Sequence, residues 1–204
     1  MKILAVSDIV QDTIYSPQIQ IRLQDIELIL GCGDLPNYYL EYIVSKLDKP
    51  GFYVRGNHSL VDECDANNPR PCGSTDLHGR VMKWNGYLLA GVEGCLRYNR
   101  GLFQYTQEEM WLHVIRLVPG LLLNRITHGH ALDILLTHAP PWGVHDQTDL
   151  PHQGIKAFLW LIKYFQPAYH FHGHIHIYNP KAAFQTRLGR TLVINAFGHR
   201  VVDL

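Results

Sequence analysis

Short apolar runs bounded by turn residues recur along the chain: Ile3 to Val6, Ile26 to Leu30, Phe52 to Val54, Tyr87 to Ala90, Ile134 to Leu136, Tyr169 to Phe171 and Leu192 to Ile194. Runs of this length suit buried strands. Between several of them lie stretches with helical spacing, namely Asn37 to Leu47, Thr106 to Val118 and Gln153 to Phe165. In the last, Ile155, Phe158, Leu159, Ile162 and Phe165 fall at offsets of three and four, one apolar stripe to lay on a core. Two helix starts are marked, by Pro36-Asn37 and by Thr106 with Glu109 three residues later, the pattern of a capping box. Strands alternating with helices predict a mainly parallel sheet covered by helices. Gly79 to Trp84, Ala182 to Arg187 and Arg200 to Asp203 read as hairpin strands, which adds a second, mixed sheet. Ser59 to Asp76, rich in Asn, Asp, Pro and Gly, has no period and reads as a long loop.

Composition narrows the class. With 204 residues, 47% of them apolar and 18% charged, the chain can bury one full-sized core, and residues 1–204 are expected to form a single domain. A formal charge of zero argues against a membrane surface or a long nucleic-acid polymer as partner, because both are gripped by clustered Lys and Arg. The apolar run at Ile3 is too short for a signal peptide or a membrane span, so it reads as a buried strand. Cys32, Cys64, Cys72 and Cys95 form no Cys-x-x-Cys pair and are expected to be free thiols in a cytoplasmic protein.

Polar groups gather where the strands end. Asp8 closes the first run; Asp34 follows Leu30-Gly31-Cys32-Gly33; Asn57-His58 follow Arg55-Gly56; His138 ends Leu135-Leu136-Thr137; His174 and His176 follow Phe171-His172-Gly173. In open α/β sheets, ligand crevices form beyond the carboxyl ends of strands. Carboxylate, imidazole and amide oxygen together suit borderline divalent ions, manganese, iron or zinc, better than soft ones. A glycine before Asn57 and His174, and before Asp34, lets the backbone turn sharply enough to bring each side chain to a common centre.

These fragments, in this order, resemble the signature of the calcineurin-like metallophosphoesterases: Asp-x-His, Gly-Asp, Gly-Asn-His, a lone His and Gly-His-x-His, here across residues 8 to 176. The resemblance implies a four-layer α/β/β/α sandwich with two mixed β-sheets. It also implies hydrolysis of phosphate mono- or diesters, with one or two divalent ions per chain and a small phosphorylated substrate. By the same likeness Asp34 would bridge two ions, with Asp8 and His176 on the first and Asn57, His138 and His174 on the second. His58 would contact the phosphate and help protonate the leaving oxygen.

The chain departs from that signature in two places. Val10 stands where the first motif has histidine, so the first ion loses an imidazole, and Ser59 follows Gly-Asn-His where relatives usually carry an acid. An inactive interaction scaffold is therefore an alternative function. His172 is weighed as a replacement ligand against a hydrogen-bonded interior histidine. His145, Asp146, Asp149 and His152 are weighed as rim contacts against a solvated loop. Glu93 faces either the cleft or a turn, and the Arg97-Tyr98-Asn99-Arg100 stretch is either a phosphate or base contact or a solvated loop. His128-Gly129-His130 reads as a surface turn.

Overall fold

The inner strands are apolar on both faces because both faces are covered. In β1 (Lys2–Ser7) Ile3 and Ala5 point one way and Leu4 and Val6 the other, and all four are buried. This is the period-two consequence of a pleated strand held inside a layered core. The computed structural model describes residues 1–59, 70–179 and 182–204. One sheet places β13 (Gly198–Asp203), β1, β2 (Leu28–Gly31), β3 (Gly51–Tyr53) and β4 (Ser74–Asp76) side by side in that order. The other runs β11 (Gln185–Leu188), β12 (Thr191–Asn195), β10 (Tyr169–His172), β9 (Ile134–Thr137), β6 (Tyr87–Val92) and β5 (Val81–Trp84). Within each sheet the inner strands are parallel, while β13, β11 and β5 join antiparallel. Both sheets are therefore mixed.

Among the described residues, three apolar clusters define four layers. One lies between the sheets and joins Ile3, Ala5, Leu28 and Leu30 to Leu89, Ile134, Leu136 and Phe171. A second packs Leu4, Val6 and Ile29 under α1 (Ile19–Arg22) and α2 (Asn37–Leu47). The third packs Ala90, Leu135 and Val193 under α3 (Gln107–His128) and α4 (Lys156–Phe165). The α/β/β/α sandwich implied by the motif order is what the chain forms. No helix among the described residues is long and apolar enough to cross a membrane.

Local signals and structure differ in three places. The helix expected to stop at Val118 continues through Pro119 to His128. Proline deletes one backbone donor, but Pro119 sits on the exposed side, where water can take the freed carbonyl, and burial of Leu121 on the opposite side carries the helix on. Gly120 permits this course, since a Cβ there would meet Val81 Cβ at 3.0 Å. The capping box at its start is present as expected: Glu109 N donates to Thr106 Oγ1 at 3.3 Å and Thr106 N donates to Glu109 Oε2 at 2.7 Å. Ser74 to Asp76, placed in the long loop by composition, is strand β4, and residues 60–69 of that loop, Cys64 with them, lie outside the described residues. Finally, β13 leaves the sheet of its predecessor β12 and pairs antiparallel with β1 in the five-stranded sheet rather than closing a hairpin.

The carboxyl ends of β1, β2 and β3 in one sheet and of β9 and β10 in the other open onto one edge. Backbone bonds tie them there, Asp8 N to Gly33 O at 3.1 Å and Gly173 N to His138 O at 2.9 Å. Every loop carrying a candidate ligand starts from that edge.

Candidate metal centre

Three of the candidate ligands sit in a left-handed backbone conformation that side-chain-bearing residues rarely take: Asp8 (φ 68°), Asp34 (φ 56°) and His174 (φ 67°). Such conformations cost about 1–3 kcal/mol each and concentrate at functional sites. They reverse the chain immediately past the strand end and throw the side chain inward. Glycines make room for the convergence. A Cβ on Gly56 would lie 2.6 Å from Asp34 Cγ and 2.6 Å from His138 Cε1, and one on Gly173 would lie 2.8 Å from Asp8 Oδ2.

At the centre is His138, wholly buried. Its Nδ1 lies 2.8 Å from the Cys32 carbonyl, which can only accept, so Nδ1 carries the proton and Nε2 is the free lone pair. That lone pair faces Asp34 Oδ2 at 3.2 Å, Asn57 Oδ1 at 3.1 Å and His174 Nδ1 at 3.1 Å. The same logic fixes His174, whose Nε2 donates to the Pro151 carbonyl at 2.7 Å and leaves Nδ1 bare. Asn57 is oriented too, because its Nδ2 donates to the Tyr98 hydroxyl at 3.0 Å and turns Oδ1 inward. Four acceptor atoms thus confront one another with no donor among them. A cation or an extra proton must sit between them.

The charges agree. Burial alone would raise the Asp34 carboxyl, but the His138 ring and the His58 amide, which donates to Asp34 Oδ1 at 2.7 Å, bring it down to about 2. For His138 burial pulls the other way, yet the Asp34 charge beside it lifts the ring to about 9. Burial and the neighbouring His138 charge lower His174 to about 4. One carboxylate, one amide oxygen and two imidazoles, with the atoms of Asp34, His138 and His174 all within 4.8 Å of one another, form a donor set that fits a borderline divalent ion.

Asp8 and His176 stand beside this group. The Asp8 carboxylate accepts from His174 N at 3.0 Å, and His176 Nε2 is 3.7 Å from Asp8 Oδ1. The His176 ring is stacked on Phe197 at 4.7 Å and remains 44% exposed. Val10 brings no donor; it packs against the cluster of Leu4, Val6, Ile14 and Tyr39. A cleft of about 200 Å³ opens over the centre, lined by Asp34, Asn57, His58, Tyr98, Pro151, His152, His174 and His176.

Other expectations divide. His172 is wholly buried and committed elsewhere: its Nδ1 donates to the Gly173 carbonyl at 2.9 Å and its Nε2 lies 2.9 Å from His145 Nδ1, so the interior reading holds. Glu93 is buried among Arg55, His78 and Tyr105, with the Tyr105 hydroxyl donating to it at 2.8 Å, and is neither a cleft group nor a solvated turn. Asp146 braces its own loop by accepting from Gly143 N and Gly154 N. His152 reaches the rim, its ring 5.3 Å from that of His174, while paired to Asp149 at 2.6 Å. Ser59 does not orient His58; its hydroxyl accepts from Gly56 N at 2.8 Å and Asp34 N at 3.3 Å, tying two ligand loops together. His128 ends α3 and Gly129 caps it in a left-handed turn, as expected of a surface turn.

Sequence reasoning did not find the two carbonyls, Cys32 and Pro151, that set the histidine tautomers, because a backbone acceptor leaves no mark in residue identity. Tyr98 was legible only as part of a basic, aromatic stretch. The paired short strands Cys95–Leu96 (β7) and Gln104–Tyr105 (β8), with Gln104 Oε1 accepting from Tyr98 N at 3.2 Å and Asn99 N at 3.1 Å, fold that stretch back over the cleft.

The family model described as calcineurin-like phosphoesterase matches residues 1–178. No curated protein matches the chain in sequence. Among solved structures, TT1561 of Thermus thermophilus superposes with a TM-score of 0.61 at 20% identity, covering 97% of this chain and 89% of that one. GAP50, the anchor in the inner membrane complex of Plasmodium, superposes with a TM-score of 0.50 at 10% identity, covering 96% and 70%. At these identities the likeness is one of fold. The match over residues 1–178 spans most of the 204 residues and takes in Asp8, Asp34, Asn57, His138, His174 and His176, and the chain belongs to the calcineurin-like phosphoesterase family.

Proposed function

We propose that the protein is a metal-dependent hydrolase of phosphate mono- or diesters, with Asp34, Asn57, His138 and His174 as the principal ligands. The observation that carries this reading is the set of four inward-facing acceptors around His138 Nε2. A divalent ion held there, manganese, iron or zinc by donor type, would supply Lewis acidity toward phosphate oxygens and lower the pKa of a bound water. The chain's own groups account for the rest. His138 and His174 offer neutral nitrogens and so leave most of the positive charge for an anionic substrate. Asp8 and His176 offer a second, poorer position. His58 lines the cleft with Nε2 3.4 Å from the Tyr98 hydroxyl, and in this reading it gives a proton to the leaving oxygen. Such a donor contributes about 10²–10⁴-fold to rate. A cytoplasmic setting suits the buried thiols of Cys32 and Cys95, neither of them in a disulfide.

A second reading, a catalytically weak member that holds one ion as an interaction scaffold, is favoured by one observation: Val10 lies in an apolar cluster, so the first position keeps only Asp8, Asp34 and His176. Hydrolysis of chromogenic mono- and diesters with added manganese, by wild type and by the His58→Ala and Asp34→Asn variants, separates the two. The hydrolase reading expects metal-dependent turnover that falls at least about 100-fold in His58→Ala. Metal binding without turnover above the variants overturns it in favour of the scaffold.

A further inference from the structure

Helix α3 is apolar on two opposite sides. Met110, Val114, Leu117 and Leu121 face the sheet and are buried. Leu112, Ile115, Leu122, Leu123 and Ile126 are between 45% and 81% exposed. At about 100° per residue these five and the exposed Pro119 share one arc of roughly 100° on the outer side. A helix on the surface of a monomer normally turns charge to that side.

Four of the five side chains of the outer stripe are arranged symmetrically, while Leu122, at +3 from Pro119, would meet Arg116 at −3 of the other copy. Taken from Pro119, apolar positions fall at −7, −4, +4 and +7, which are Leu112, Ile115, Leu123 and Ile126. A twofold axis through Pro119 would therefore set Leu112 of one copy on Ile126 of the other and Ile115 on Leu123, each contact made twice. That reciprocity is what a twofold interface requires and what an unrelated partner would not select. Charge agrees with the antiparallel sense: the first turn of α3 carries Glu108 and Glu109, the last carries Arg125 and His128. Antiparallel pairing brings the acidic end of each helix to the basic end of the other. The area suffices as well. Five aliphatic side chains at roughly half exposure offer on the order of 500 Å² per copy, near the upper range for the largest patch on a monomer. The pair would bury on the order of 1,000 Å² of apolar surface, and a polar rim brings that to the 1,200–2,000 Å² of a stable interface.

We infer that the protein is a homodimer joined through α3, two copies packing this stripe antiparallel about Pro119. Sedimentation equilibrium on the full chain tests it, with the monomer mass of 23.4 kDa as reference. Wild type is expected to be dimeric at micromolar concentration, and Leu123→Glu or Ile126→Glu, each placing two carboxylates in the interface, should weaken the dimer at least about 100-fold. Both positions are exposed, so the variants should keep the wild-type near-ultraviolet circular dichroism spectrum and melting temperature. Orientation is read from Pro119→Cys, which meets itself at the axis and should cross-link under mild oxidation above the background of the parent protein, whereas Thr127→Cys should not. A wild type that stays monomeric throughout, or a dimer unaffected by both glutamates, overturns the inference. So does a monomer that instead co-sediments with phospholipid vesicles through the same stripe.

Discussion

Gly56→Ala is the sharpest test of the metal centre, because the glycine contributes nothing except space. Its φ lies outside the left-handed region, so alanine adds no backbone strain there. A Cβ would lie 2.6 Å from both Asp34 Cγ and His138 Cε1, whereas carbon pairs rest at about 3.5–4.0 Å. Something must therefore move by about 1 Å. The Gly56 backbone is held by Ser59 Oγ, and His138 by the Cys32 carbonyl, so the displacement falls on the ligands themselves. Ligand distances tolerate only about 0.2 Å, and losing even a supporting contact to a ligand costs about 10–100-fold in metal affinity. Manganese affinity by titration calorimetry should fall about 100-fold or more. Overpacking should also cost about 1–3 kcal/mol of stability. Gly79→Ala is the control: its φ of +68° imposes backbone strain, but a Cβ there meets nothing within 4 Å among the described residues. Gly56→Ala binding manganese as tightly as Gly79→Ala would refute the idea that Asp34 and His138 hold the ion.

Two further outcomes follow from the geometry. His138→Ala should lower metal affinity more than His176→Ala, by at least about tenfold, because His138 is wholly buried with its tautomer fixed while His176 is 44% exposed; calorimetry that ranks them equally contradicts the division into a strong and a weak position. His170, wholly buried with Nδ1 lacking a partner among the described residues, is lowered by burial to about 3. A histidine kept neutral by the fold stabilises it fully above the unfolded value of about 6.5 and loses that contribution as pH falls toward about 3. Between pH 7.0 and 5.5 this one group should cost about 1.3 kcal/mol of unfolding free energy, measured by urea denaturation as the difference between wild type and His170→Phe. An equal pH slope in the two proteins would contradict it.

The apolar run Ile3 to Val6, the apolar stripe of the helix ending at Phe165 and the Thr106–Glu109 box are local patterns legible in the order of residues alone. The order of Asp8, Asp34, Asn57-His58, His138 and His174-Ile175-His176 was likewise enough to name the family, because a polar side chain past each strand end, three of them behind a glycine, can be read one fragment at a time. Other features depend on atoms that residue identity does not encode. Backbone carbonyls of Cys32 and Pro151 choose the tautomers of His138 and His174. The Tyr98 hydroxyl, 41 residues from Asn57, turns that amide inward. His172, indistinguishable in sequence from a ligand, proves to be held by His145 and its own neighbour. Helix α3 runs through Pro119 because burial on one side outweighs a local stop signal. The contacts among Cys32, Tyr98, His138, His145 and His172 are set by where the strands bring distant segments together, and residue identity within a short window does not reveal them.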